Sequence, residues 1–187
     1  MKTIFKVLMI YLLFVGFQNC GDSASTEQDE SQQTEQPQAV KAEQEANPFL
    51  VTTNSFYGLT IGGKIGDLEK SVLETGEGSF DIFLIKDENG EELGYVDANY
   101  EDESLIGGIT ISTKKAVTED GVKIGMSYAD FNEKFPDAEL HGSEIEGYTS
   151  TNVNKNVYYE LSDRHWEYEL DKNKIAEGTT IVAITVQ

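Results

Sequence analysis

The residue best suited to a covalent modification is the single cysteine of the chain, Cys20, which directly follows an apolar N-terminal segment. Lys2 and Lys6 place positive charge at the start of this segment, and an apolar stretch runs from Val7 to Phe17. This order is typical of a secretory signal, and the apolar part is too short to span a bilayer. Bacterial lipoproteins are acylated, with palmitate among the acyl chains, on a cysteine in this position. We therefore predict a signal peptide over residues 1–19 and lipidation of Cys20; the alternative is an unmodified residue near an ordinary cleavage site.

The predicted anchor also predicts a location. A lone thiol cannot form an internal disulfide, and two or more acyl chains hold a protein on a membrane without spanning it. Gly21, which follows the cysteine, is not the acidic residue that retains lipoproteins at the inner membrane of well-studied bacteria. We expect the protein to lie at the outer membrane.

Residues suited to catalysis are few. The only histidines are His141 and His165, the only arginine is Arg164, and the common nucleophile, phosphate-loop and zinc motifs do not occur. We predict a protein that is not an enzyme, with no catalytic residue, no cofactor and no metal site. Carboxylates on both sides of His141 are able to complete a cation site. The alternative function is therefore a divalent-cation-binding or scavenging lipoprotein.

A group of aromatic and cationic residues near the C-terminal end is the predicted binding surface. Its members are Tyr158, Arg164, His165, Trp166 and Tyr168. Tyrosine and tryptophan give large contact areas at low entropic cost, and arginine binds carboxylates. Two alternatives stay open: the aromatic residues form a second core on the other face of the sheet, and the arginine forms a structural ion pair.

Composition divides the chain after the signal into a tether and a domain. Residues 20–47 are rich in Glu, Gln and Ser and contain no aromatic residue, which predicts a disordered acidic tether. Residues 48–187 have the length of a single domain. The formal net charge of −20 argues against nucleic acid as a partner and is compatible with a basic partner or divalent cations.

The domain contains a weak internal repeat. Residues 58–68 align with 121–131 without a gap, and the two segments share both glycines of a Gly-x-x-Ile-Gly unit and a later Asp. We predict a duplication with units at 58–113 and 121–187. Each unit is expected to continue from a tight turn into a helix, over about 65–74 and 128–134. Ser127 and Asp130 have the spacing of a helix capping box.

Alternating apolar residues after each helix predict strands near 80–86, 92–99, 105–113, 147–152, 157–161, 166–170 and 179–186. Asn89-Gly90 is a strong hairpin signal between the first two. The predicted fold class is α+β, with two helix-plus-antiparallel-meander units packed as one compact domain.

The segment Gly121-Val122-Lys123-Ile124-Gly125, with Asp130 and Phe131 in the helix that follows, resembles the DUF1131 family. This is an enterobacterial family of small envelope lipoproteins, also called the RpoE-regulated lipoprotein family. The resemblance implies a lipid-anchored α+β envelope domain. The family has no assigned biochemical activity, so no catalytic residue follows from it.

The predicted function combines these observations. We expect a lipid-anchored protein of the bacterial cell envelope that acts as a non-enzymatic binding module. Its membrane contact is the lipid on Cys20, and an envelope protein, a glycan or a secreted enzyme is the expected partner.

Overall fold

The computed structural model describes residues 47–187. Cys20, the signal peptide and nearly all of the predicted tether lie outside the described residues. The strands are β1 (Leu50–Val51), β2 (Ser55–Phe56), β3 (Leu59–Thr60), β4 (Glu69–Thr75), β5 (Gly78–Lys86), β6 (Glu92–Ala98), β7 (Ile106–Ile111), β8 (Val117–Thr118), β9 (Glu139–Gly142), β10 (Tyr148–Asn152), β11 (Val157–Arg164) and β12 (Ile181–Val186). The helices are α1 (Tyr128–Lys134) and one 3₁₀ turn (Lys172–Lys174).

Eight strands form one antiparallel sheet in the order β4-β5-β6-β7-β12-β11-β10-β9. Two meanders of four strands therefore meet at its centre, where β7 pairs with β12. The central pair places Thr110 opposite Thr185. Two further pairs, β1 with β8 and β2 with β3, lie outside this sheet.

The turns of the repeated segments make equivalent hydrogen bonds. The backbone N–H of Gly62 donates to the carbonyl of Ile106 at 2.8 Å, and that of Gly125 donates to the carbonyl of Ile181 at 2.8 Å. Each turn thus contacts the first residue of the last strand of its own meander. A duplication with the bounds 58–113 and 121–187 stays a prediction.

The predicted α+β class with two helix-plus-meander units was wrong. The described chain is mostly β, and its single α-helix is α1, seven residues long. The helix predicted over 65–74 is instead largely β4. In α1, the Ser127 hydroxyl accepts a hydrogen bond from the backbone N–H of Asp130 at 3.1 Å and caps the helix. The first repeat has Lys64 at the capping position, and Gly66, two residues after Lys64, has φ +64°.

The strand predicted over 166–170 was also wrong. Strand β11 ends at Arg164, and beyond it the backbone makes an isolated bridge between Glu169 and His141. The other six predicted strands correspond to β5, β6, β7, β10, β11 and β12.

The hydrophobic core lies on one face of the sheet, where α1 and the loops around β1–β3 and β8 pack. Phe131 of α1 is fully buried, and its ring centroid is 5.1 Å from that of Tyr159 in β11. Ile109 of β7 and Ile184 of β12 are buried in the same cluster. Within residues 47–187, no helix is long and apolar enough to cross a membrane.

Candidate binding face

Alternation along the strands places a second set of side chains on the face opposite the core. A row crosses the four central strands on this face: Tyr95 in β6, Thr110 in β7, Thr185 in β12 and Tyr158 in β11. The two threonine hydroxyls are 3.3 Å apart and form a hydrogen bond at the centre. All four side chains are half-buried.

Two carboxylates flank this row at matching positions. Asp97 lies two residues after Tyr95 and faces Gly108 across the ladder, and Glu160 lies two residues after Tyr158 and faces Ala183. Both neighbours are small; a Cβ on Gly108 would lie 3.1 Å from Oδ2 of Asp97. We use the name open face for the surface formed by six residues: Tyr95, Asp97, Thr110, Tyr158, Glu160 and Thr185.

The two carboxylates of the open face have no cationic partner among the described residues. Within residues 47–187, no lysine, arginine or histidine nitrogen lies within 4.0 Å of Asp97 or Glu160. Burial raises the pKa of Asp97 above its ordinary value. Burial also raises the pKa of Glu160, where the charge of Arg164 opposes the shift and the charge of Glu146 adds to it.

Two hairpin ends meet across the sheet. The guanidinium of Arg164 lies 4.7 Å from the ring centroid of Tyr148 and donates to the backbone carbonyl of Glu146 at 3.3 Å. The Glu146 carboxylate accepts a hydrogen bond of 2.7 Å from the backbone N–H of Gly76, in the turn between β4 and β5. Because β4 and β10 lie on opposite sides of the central pair, the sheet must curl to bring these ends together.

The curl brings residues of β6 and β11 towards each other on the open face. The pKa of Tyr95 is raised mainly by burial, against the effect of a hydrogen bond with Thr110, and further by the negative charges of Asp97 and Glu160. A phenol on β6 is thus close enough to a carboxylate on β11 to be affected by its charge. The open face therefore presents two half-buried carboxylates, one on each side of the row, and each lies on the same strand as a tyrosine of the row.

The structure separates the predicted binding residues into two places. Tyr158 belongs to the open face, and Arg164 lies beside it over Tyr148. His165 turns away from it and forms a 3.0 Å contact from Nε2 to Oδ2 of Asp163, with its side chain 18% exposed. The predicted ion pair of Arg164 with a carboxylate is not among the salt bridges of the described residues.

Trp166 and Tyr168 lie near the β9 edge of the sheet. Trp166 is 59% exposed and its ring lies against Gly147, where a Cβ would be 2.5 Å from the nearest ring atom. Tyr168 is 63% exposed, and its ring centroid is 6.0 Å from that of His141. The five predicted residues therefore do not form one surface.

Sequence reasoning missed Tyr95, Asp97 and Glu160. A signal for them does exist, because Tyr95-Val96-Asp97 and Tyr158-Tyr159-Glu160 share a Tyr-x-acid pattern within predicted strands. The alignment that places residue 58 opposite residue 121 also places Tyr95-Val96-Asp97 opposite Tyr158-Tyr159-Glu160.

A shallow groove with a volume of about 560 Å³ runs beside β9, where Glu139, His141, Tyr168 and Glu169 line it. Nε2 of His141 is 3.6 Å from Oε2 of Glu139. The described residues contain no group of three or more His, Cys, Asp or Glu side chains arranged to hold a metal ion. The divalent-cation interpretation gains no geometric support from this part of the chain and stays a prediction.

Comparison with known proteins identifies a structural neighbour. No family model matches the chain, and no curated protein matches it by sequence. A solved structure that is similar to it is the crystal structure of the uncharacterized protein yfeY from Escherichia coli. The match covers 73% of this chain and 98% of that one, with 12% sequence identity and a TM-score of 0.48. The resemblance to the DUF1131 family stays a prediction.

Proposed function

We propose that this chain is a lipid-anchored binding module of the bacterial cell envelope and that its open face binds a cationic partner. The observation that carries this proposal is the pair Asp97 and Glu160, two half-buried carboxylates without a cation within 4.0 Å in the described residues. Burying a carboxylate without a partner destabilises a fold. A bound cation would supply the missing partner.

The chemistry of the open face favours lysine or arginine side chains as ligands. Each carboxylate has a tyrosine two residues away on the same face of the same strand, Tyr95 beside Asp97 and Tyr158 beside Glu160. Ammonium and guanidinium groups bind both carboxylates and aromatic ring faces. The net charge of −20 attracts a basic partner over longer distances. A basic segment of an envelope protein or a secreted enzyme fits this surface.

The module acts without catalysis in this proposal. Lipid on Cys20 holds it at the outer membrane, and the tether over residues 20–47 lets the domain reach partners away from the lipid surface.

An octalysine peptide with a fluorescent label is the probe that tests the proposal on the purified full chain. Asp97→Asn combined with Glu160→Gln removes both charges and is expected to weaken binding about tenfold or more, because two charge-assisted contacts are lost. The matched control is Glu101→Gln with Glu103→Gln. It removes the same charge from the exposed loop after β6 and is expected to change the dissociation constant about twofold at most.

Fluorescence anisotropy at two salt concentrations separates site binding from general attraction. Equal weakening by both double variants would show that only the overall charge matters and would overturn the proposal. Full binding by the Asp97→Asn/Glu160→Gln variant would overturn it as well.

A further inference from the structure

The two edges of the eight-stranded sheet differ in how they are protected. At one edge β9 has only four residues, and the segment after β11 covers it. Glu169 of this segment forms a bridge with His141, and the Tyr168 carbonyl accepts a hydrogen bond from the N–H of Gly142. At the other edge β4 has seven residues without a proline or a bulge. In the described part of the chain β4 pairs only with β5. A long regular edge of this kind is able to pair with another strand.

The hairpin between β4 and β5 determines which backbone groups point outward. Thr75 and Gly78 face each other across a two-residue turn, so they form a hydrogen-bonded pair. Hydrogen-bonded and non-bonded pairs alternate along an antiparallel ladder. The N–H and C=O groups of Lys70, Val72 and Glu74 therefore point away from β5. Outside the strand ladders, no backbone hydrogen bond of the described residues uses these three.

The outward residues are complementary to themselves in an antiparallel pairing. When two copies of β4 pair about a two-fold axis at Val72, each Lys70 lies opposite Glu74 of the second copy. All three side chains lie on one face of β4, since they alternate with Ser71 and Leu73. Opposite charges that face each other across a ladder are stabilising, and like charges are destabilising.

We propose that β4 is a homodimer interface, in which two copies of this chain pair their β4 strands antiparallel in the register that places Val72 on the two-fold axis. The pairing satisfies six outward backbone groups in each copy and joins the two sheets into one of sixteen strands. It also brings together two Val72 side chains, each 53% exposed in the single chain. The interface is isologous, as in most two-fold dimers. It does not use the open face, so it is independent of the proposed function.

Charge reversal tests the register. Lys70→Glu alone places two acidic side chains opposite each other, and Glu74→Lys alone places two lysines opposite each other, so each variant is expected to weaken dimerisation about tenfold or more. The variant with both reversals restores opposite charges and is expected to dimerise within about twofold of the original chain. Sedimentation equilibrium of the full chain in detergent over a range of concentrations measures all four proteins.

The single reversals also remove contacts within one copy. Lys70 forms an exposed ion pair with Asp81 at 2.7 Å, and Glu74 accepts a hydrogen bond from Ser79 at 2.6 Å. Thermal unfolding at a concentration where the chain is monomeric measures this separate effect, which is expected to be small for exposed pairs.

Amide hydrogen exchange and a proline variant test the backbone pairing directly. At high protein concentration the amides of Lys70, Val72 and Glu74 are expected to become protected, while those of Ser71 and Leu73 are protected at all concentrations. Val72→Pro removes an outward N–H and is expected to abolish dimerisation without unfolding β4. A chain that is monomeric at every concentration would overturn the proposal, and so would equal association of the single and double reversal variants.

Discussion

Asp97 and Glu160 link the proposed binding function to a cost in stability. Both carboxylates are half-buried beside a tyrosine of the same strand. Burial raises the pKa of each because the charged form loses water. A fold selected only for stability would have neutral side chains at these two positions, and this supports a role for them in binding.

The raised pKa values predict how stability depends on pH. Between the ordinary and the raised pKa, the folded protein binds more protons than the unfolded chain, so stability falls as pH rises through the raised pKa. Below the ordinary value near 4 both states are protonated and the cost is absent. Asp97→Asn with Glu160→Gln is therefore expected to raise the unfolding temperature by about 2 °C at pH 7 and to leave it unchanged near pH 3. The shift is kept small because both carboxyls remain partly solvated.

Thermal unfolding followed by circular dichroism at both pH values measures this prediction. The exposed pair Glu101→Gln with Glu103→Gln is the control and is expected to show no such difference between the two pH values. A double variant at positions 97 and 160 that is less stable than the original chain at pH 7 would contradict the assigned cost of burial.

The two repeated turns show how elements diverge after similar starts. Gly62 and Gly125 occupy equivalent positions and both have positive φ, 76° and 91°. After the second turn Ser127 caps α1, whereas the first turn continues through Gly66 into β4. The aligned residues at the capping position are Ser127 and Lys64. The serine side chain is able to cap a helix, and the lysine side chain is not. The apolar spacing of residues 65–74 by itself did not distinguish the two outcomes.

The pairing of β6 with β7 depends on a glycine at one position. Gly94 has φ 151°, and a Cβ there would lie 2.1 Å from the carbonyl oxygen of Thr110. Gly94→Ala is therefore expected to lower the free energy of unfolding by about 3 kcal/mol, because the two strands must separate. Gly90→Ala is the control: its φ is +81° and no atom lies within 4 Å of the added carbon, so a loss of about 1 kcal/mol is expected.

Chemical denaturation of both glycine variants and the original chain gives the free energies. If the close contact with Thr110 is the cause, Gly94→Ala must lower the free energy of unfolding more than Gly90→Ala does. Equal losses would show that backbone conformation alone accounts for the effect at Gly94.

At the scale of the whole molecule, one curled sheet separates the core from the open face. The core face holds α1 and the loops, while the open face carries Tyr95, Tyr158 and the two carboxylates. The contact between Gly76 and Glu146 joins the ends of two hairpins that are 70 residues apart in the chain. This contact links the two ends of the curled sheet.

The predicted anchor is tested by the intact mass of the protein purified from its native membrane fraction. The expected mass corresponds to cleavage between Asn19 and Cys20 with acyl chains added. Cys20→Ala is expected to lack the added mass, because the acceptor thiol is absent. An unmodified chain in both preparations would refute the anchor and the outer-membrane location, while the proposal for the open face would remain testable on the unmodified full chain.

The sequence alone determined the features that depend on neighbouring residues. Alternation located six of the strands, and the Ser127-to-Asp130 spacing located α1 and its cap. The Asn89-Gly90 pair correctly marked the turn between β5 and β6. These signals are local because turn geometry, capping and side-chain alternation involve residues only a few positions apart.

Only the tertiary structure decided how distant residues meet. Among the described residues, the order of the eight strands places Asp97 and Glu160 on the open face and leaves β4 as an edge strand that pairs only with β5. Of the predicted surface, Tyr158 belongs to the open face and Arg164 lies beside it, whereas His165, Trp166 and Tyr168 lie elsewhere. The physical reason is that strand order and curl follow from contacts between residues tens of positions apart, which alternation along a single strand does not encode.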